Sequence, residues 1–434
     1  MSDQVSTRSE QSERPSFRRL AVACGVGTSL EYYDFFVYGT ASALVFGTLF
    51  FRAQDPLVAA ILAFSTFAVG FLVRPLGAIV FGHFGDRLGR RRMLVLSLGV
   101  MGVTTALMGL LPTYAAIGVA APLLLVLLRV VHGFSVGGEA GGAALMAVEH
   151  APPGKRGLYG SLVTIGSPMG AFLANGSFAL VMLLPMEDVL SWGWRIPFLV
   201  GVVVVLVGVF ARRKLHETPV FQDLTEKKAT ERLPLMTVLR KEGKQVLLTA
   251  GVNLGFNAFV FILFVFLLTY GKETLKLPSW VMLVATLVGC IAQVISIVGF
   301  CALTDRVGRK PVMLAGAVFC AVFPFPLFWM VDTADTGLII LAIAIAFAGG
   351  GAIFGPMLSY FSELFGAAHR YTGVGIGYQL GAVLGGGFSP LIATALLKAG
   401  GGSMAVATYV AAASLISVGC MLALPETVRR GQPE

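Results

Sequence analysis

Twelve apolar runs, each close to the length that carries a helix across a bilayer, constrain this 434-residue chain more than any other feature. The first six occupy residues 20–50, 57–82, 93–111, 119–147, 158–184 and 193–211. The second six occupy residues 245–270, 279–303, 311–331, 337–362, 371–397 and 404–424. A spanning helix takes about 20 mostly apolar residues, so the runs read as an all-α integral membrane protein with twelve transmembrane helices. Composition agrees: 56% hydrophobic and 13% charged residues, with a mean hydropathy of +0.83, exclude a string of soluble domains.

The net charge of +9 does not mark a nucleic-acid binder, because the basic residues sit in short clusters between apolar runs. They orient the chain instead. Lys and Arg collect in cytoplasmic loops. With the first 19 residues placed inside, 25 of the 32 basic residues fall in inside segments and 5 outside, while Arg74 and Arg129 lie within spans. Both termini are therefore expected in the cytoplasm. The apolar run after the polar first 19 residues is too long for a signal peptide, so no cleavage is expected. The five cysteines lie in or beside apolar runs without metal-ligand spacing and read as packing residues.

The chain also repeats itself. Gly82 to Arg92 reads GHFGDRLGRRR, and Cys301 to Lys310 reads CALTDRVGRK; aligning Asp86 on Asp305 gives an offset of 219 residues, about half the chain. Glu149 and Arg156, after the fourth run, recur as Glu363 and Arg370 after the tenth, each offset by 214. The sixth run ends near Leu215-His216-Glu217-Thr218-Pro219 and the twelfth near Leu424-Pro425-Glu426-Thr427. These matches predict two pseudo-symmetric six-helix halves, residues 20–211 and 245–425. A cytoplasmic tail (1–19), a cytoplasmic linker (212–244) and a second short tail (426–434) complete the chain, and a binding site is expected between the halves near the midplane.

These features together resemble the major facilitator superfamily of transporters over nearly the whole length. Four further motifs resemble its metabolite:proton symporter branch: Glu31-Tyr32-Tyr33-Asp34-Phe35, Arg74-Pro75-Leu76-Gly77, Gly133-Phe134-Ser135-Val136-Gly137-Gly138-Glu139 and Trp192-Gly193-Trp194-Arg195-Ile196-Pro197-Phe198. The chain is most similar to the shikimate-transporter-like members of that branch. The resemblance implies a bacterial inner-membrane symporter, driven by the proton gradient without a cofactor, whose Asp-containing loops act as cytoplasmic latches. One departure stands out: Ala140 follows Glu139 where many relatives carry Trp, so a relative's substrate does not transfer directly.

Ionisable residues deep in a span cost at least about 2.5 to 3.5 kcal/mol each, so each needs a partner or a task. Glu31, Asp34 and Tyr38 share one face of the first helix at spacings of three and four. Two neighbouring carboxylates can hold a proton between them. Arg129, His132 and Glu139 form one stripe on the fourth helix. Asp34, Glu31, Glu139 and His132 are thus the candidates for proton coupling. Arg129, a planar fork that keeps its charge, is the candidate to bind a substrate carboxylate or to pair with Asp34; Arg74 and Tyr38 join it. In the second half Asn253, Asn257, Gln293, Tyr378 and Gln379 are the mid-span polar groups. Gly166-Ser167-Pro168-Met169-Gly170 in the fifth helix reads as a kink with close helix packing.

The repeated loops supply a cytoplasmic gate: Asp86, Arg87, Arg90, Glu149 and Arg156, repeated as Asp305, Arg306, Arg309, Glu363 and Arg370. Each Asp is a short anion suited to the N-terminal end of a helix in the opposite half. The function expected is import of a small organic acid with protons by alternating access, by a monomer whose partners are the substrate, protons and the bilayer. Competing expectations are a betaine-like zwitterion as substrate, a proton-driven exporter, or a non-transporting receptor. No nucleophile-base pair, metal ligand set or phosphate-cradling loop suggests an enzyme.

Overall fold

The computed structural model describes residues 17–51, 53, 55–88, 90–137, 156–213, 238, 240–366 and 370–427. Every regular element among them is a helix, as backbone in hydrocarbon demands. In the N-terminal half, α1 covers Phe17–Ala41 and continues through a wide π-helical turn, Ser42–Phe46, to Gly47–Phe50. It is followed by α2 (Pro56–Leu88), α3 (Arg90–Leu110) and α4 (Ala120–Val136). α5 comprises Arg156–Thr164 and Gly166–Val181, and α6 is Arg195–Arg213.

In the C-terminal half, α7 runs through Gly243–Phe261, the wide turn Ile262–Phe266, Leu267–Thr269 and a further wide turn, Tyr270–Thr274. Then come α8 (Ser279–Val307), α9 (Arg309–Val322 with Pro324–Val331) and α10 (Thr336–Leu364). α11 combines Arg370–Gly381, the wide turn Ala382–Gly387 and Ser389–Leu396, and α12 is Gly402–Ala423.

The repeat extends to the irregularities. The wide turns Ser42–Phe46 in α1 and Ile262–Phe266 in α7 stand 220 residues apart. Gly166 and Gly170 pack α5 onto α1 so closely that a Cβ would fall 2.5 Å from Thr28 Cβ and 2.4 Å from Ser29 O. Gly381 and Gly385, 215 residues on, pack α11 onto α7, where a Cβ would fall 2.5 Å from Ala250 O and 2.1 Å from Leu254 O. Small residues at such crossings let backbones approach where water cannot drive packing. The halves meet along α5 against α8 and α10, and α2 against α11.

Gly308 ends α8 at φ +104°, a conformation that glycine adopts without strain. It is the repeat partner of Gly89, which lies outside the described residues. Pro324 bends α9 by 44°, since proline removes a backbone donor and crowds the preceding turn. In the apolar run of residues 311–331 the closely spaced Pro324 and Pro326 are the sign of this bend.

Candidate functional site

Between the halves lies a cavity of about 100 Å³, walled by α1, α2, α4 and α5 on one side and by α7, α8, α10 and α11 on the other. Its N-terminal wall carries Thr28, Tyr32, Phe35, Phe36, Phe71, Arg74 and Ser167; its C-terminal wall carries Phe256, Asn257, Phe261, Phe264, Gln293, Phe354, Tyr378 and Gln379. Arg74 is the only charged side chain among the described lining residues. Its guanidinium lies 4.0 Å from the Phe71 ring centroid and 4.7 Å from that of Phe35, each such stack contributing about 0.5–2 kcal/mol. Aromatic rings surround the cation without cancelling its charge.

Arg129 is elsewhere. It is 1% exposed and does not line the cavity; its guanidinium lies 4.0 Å over the Tyr38 ring, with Phe67 and Phe35 at 5.3 and 5.7 Å. None of its three nitrogens has a hydrogen-bond partner among the described residues. Arg129 and Asp34 therefore share no hydrogen bond in this arrangement, and the guanidinium stands behind the cavity wall instead of on it. The helix crossing explains why. Gly70 and Gly77 of α2 meet Gly133 and Gly137 of α4 almost backbone to backbone, a Cβ on Gly133 falling 2.0 Å from Gly70 O. A Cβ on Gly70 would lie 2.6 Å from Arg129 Nε. This contact fixes the rotation of both helices, sending Arg74 into the cavity and Arg129 into the interior of its own half.

Beside Arg129, His132 Nδ1 lies 3.5 Å from Asp34 Oδ2 and 3.3 Å from Thr104 Oγ1, with both His132 and Asp34 1% exposed. The ring of Phe35, adjacent to Asp34 in the chain, stands between this buried cluster and the cavity, within cation-π reach of both arginines. Tyr38 is not a lining residue; its hydroxyl bonds Thr66. The face of α1 that lines the cavity is Thr28, Tyr32, Phe35 and Phe36, offset around the helix from Asp34 and Tyr38. The spacing of four, three and one is the signal in the sequence that places these four side chains on one helical face.

Of the C-terminal candidates, Asn257, Gln293, Tyr378 and Gln379 line the cavity. Asn253 bonds between helices instead: its Nδ2 donates to Tyr378 O at 2.6 Å, and its Oδ1 accepts from Asn257 Nδ2 at 2.7 Å. Tyr32, not expected as a site residue, meets Tyr378 hydroxyl to hydroxyl at 3.0 Å across the two halves.

The repeated loop of the C-terminal half reaches into the N-terminal half. Asp305 accepts from Gly157 N at 2.9 Å and Leu158 N at 3.1 Å, at the start of α5, where the helix dipole favours an anion. Arg309 bridges Asp305 at 2.7 Å and Glu363 at 3.3 Å, while Arg306 is exposed. Glu139 and Glu149 lie outside the described residues, as do the side chains of Glu31, Asp86, Arg87, Arg90, Arg156 and Arg370. At the opposite end Lys398 pairs with Asp55. There Lys272 Nζ donates to Leu44 O at 2.9 Å and Thr269 Oγ1 to Ala43 O at 3.2 Å. The Lys398 contact, followed by the Leu57 and Val58 amides, holds the Asp55 carboxyl below its ordinary range.

Residues 25–390 and 283–434 match the family model described as Major Facilitator Superfamily. The chain belongs to the major facilitator superfamily. It is 39% identical over 418 residues to the shikimate transporter of Escherichia coli (strain K12), covering 95% of each chain, and 30% identical to the proline/betaine transporter of Salmonella typhimurium, covering 95% of this chain and 84% of that one. Among solved structures it resembles the proton:xylose symporter XylE bound to 6-bromo-6-deoxy-D-glucose, with a TM-score of 0.74 at 18% identity over 95% of this chain and 96% of that one. The superfamily fold is the expected twelve helices in two six-helix halves, and the protein is a multi-pass membrane transporter, not an enzyme.

Proposed function

We propose that this transporter imports a small organic acid in symport with protons across a bacterial inner membrane, acting as a monomer with both termini in the cytoplasm. The observation that carries the reading is Arg74, a single cation among the described residues on the wall of an otherwise neutral, aromatic cavity between the halves. A carboxylate there gains a charge-assisted, bidentate partner in a water-poor site. In this reading Asp34 and His132 hold the proton within the N-terminal half, with Glu31 and Glu139 of the neighbouring motifs contributing. Protonation alters the field at Arg129, and Arg129 shifts the Phe35 ring that it shares with Arg74. Cargo then loads, and the halves rock between the Asp55–Lys398 end and the Asp305 end. The gate residues Asp86, Arg87, Arg90, Glu149 and Arg156 are assigned to the same latch by the repeat.

The aromatic walls favour one second reading. A quaternary ammonium is stabilised over aromatic faces, so a betaine with its carboxylate on Arg74 also fits, and the proline/betaine relative points the same way. Uptake into proteoliposomes under an imposed pH gradient, across carboxylates and betaines, tests both. Gradient-driven accumulation of a carboxylate supports the main reading; accumulation of betaines alone replaces the substrate class; no accumulation of any compound removes symport.

A further inference from the structure

We infer that Gln293 on α8 and Gln379 on α11 read hydroxyl groups of the cargo, so that the cavity selects a hydroxylated monocarboxylate over a betaine or an unsubstituted acid. This rests on the organic-acid reading of the same cavity. Both glutamines line the cavity, at 2% and 3% exposure, and in both the Oε1 is buried with no hydrogen-bond partner among the described residues. The neighbouring amide donors are already committed, Asn253 Nδ2 to Tyr378 O and Asn257 Nδ2 to Asn253 O and Oδ1.

Buried acceptors without a donor are rare in native interiors and unfavourable where they occur. Two of them on residues that wall one ligand cavity offer acceptors to donors on the cargo. A hydroxyl fits, since it donates to Oε1 and accepts from Nε2 of the same amide. An ionised carboxylate has no proton to give, and a quaternary ammonium has neither N–H nor O–H. The carboxylate end therefore belongs to Arg74 in the N-terminal half, and the hydroxyl end to the glutamines in the C-terminal half. A ligand carrying both groups ties the halves together; one carrying only the carboxylate engages one wall.

The test uses the full-length protein in lipid nanodiscs, with binding measured by calorimetry. The probes are shikimate against cyclohex-1-ene-1-carboxylate, quinate against cyclohexanecarboxylate, lactate against propionate, and glycine betaine. At least one hydroxylated acid is expected to bind about tenfold or more tighter than its deoxy partner, since sites built to bond a hydroxyl reject analogues lacking it. Gln293→Met and Gln379→Met should each reduce that ratio about tenfold without lowering the melting temperature of the ligand-free protein, since each removes a buried acceptor that has no donor among the described residues. The inference is overturned if no hydroxylated acid outbinds its deoxy partner, if betaine binds tighter than every acid, or if the variants weaken both members of a pair equally. Uptake by the same preparations separates the two claims. A glutamine-dependent hydroxyl preference without proton-driven accumulation overturns symport and leaves the glutamines standing, and accumulation of acids without that preference does the reverse.

Discussion

The hydroxyl of Tyr32 on α1 lies 3.0 Å from that of Tyr378 on α11, joining residues 346 positions apart across the two halves. Both side chains line the cavity, and both helices begin at the end of the molecule that holds Asp305. The pair therefore ties the two halves together beside the cavity. Tyr378→Phe removes one hydroxyl and keeps the ring. Loss of a net bond of about 0.5–1.5 kcal/mol should raise the population open on the Asp305 side by about 2- to 10-fold. Labelling rates of single cysteines facing that side report the change, and an unaltered rate shows that the bond does not gate.

Asp34→Asn keeps the shape of a buried side chain 3.5 Å from His132 but cannot carry the proton. Uphill uptake should disappear while counterflow exchange of substrate persists. His132→Gln should leave exchange intact and change the pH dependence of uphill uptake. Normal accumulation by Asp34→Asn would assign the proton to another group.

Gly133→Ala places a methyl 2.0 Å from the carbonyl oxygen of Gly70, and the obstacle is backbone, which cannot rotate away. Overpacking of this kind costs about 1–3 kcal/mol or more. The variant should melt at a clearly lower temperature in detergent. Gly99→Ala, where nothing lies within 4 Å of the added Cβ, serves as the control and should melt like the parent.

Asp305→Ala strips the start of α5 of its acceptor for Gly157 N and Leu158 N and leaves Arg309 with Glu363 alone among its described ion-pair partners. Loss of a helix cap is worth about 0.5–2 kcal/mol. Because this cap joins the two halves, the loss should appear as greater opening at that end, by roughly 2- to 30-fold in cysteine labelling. If the whole fold loses stability with no change in opening, Asp305 is structural only.

The Asp55–Lys398 pair at the far end has a defined pH sign. Its carboxyl is held below the ordinary value of 3.8, so the contact contributes in full above that value and is lost as pH falls through the lowered one. Closure at this end should be flat between pH 5 and 8 as far as this pair is concerned, and weaken only in strong acid. Lys398→Gln should produce the same weakening at neutral pH. Accessibility of a cysteine beside Asp55, followed against pH in both proteins, checks this.

The twelve spans were legible because hydrocarbon leaves a chain one economical backbone solution, and wherever both ends lie among the described residues their limits fall within a few residues of the apolar runs. The partnership of Asp305 with a helix start in the other half was legible too, from its charge and its neighbouring glycine in the repeat. Helix rotation was not. Arg74 and Arg129 look alike as lone cations in apolar runs, and only the Gly70–Gly133 crossing decides which faces the cavity. A stripe of spacings shows that Asp34 and Tyr38 share a face, but not what that face meets. Tyr32 stood within a recognised motif and drew no assignment, because a tyrosine on an apolar helix is ordinary until its partner is known.

The wide turn Ser42–Phe46 has a consequence for how variation at the far end is tolerated. The acceptors that receive Thr269 and Lys272 there are the main-chain oxygens of Ala43 and Leu44. Every amino acid carries that oxygen, so replacing either residue by another helix-compatible one keeps both bonds. Alanine scanning of this part of α1 would pass over the contact altogether. Only the donor side, or an insertion or deletion that shifts the register of the turn, can disconnect it.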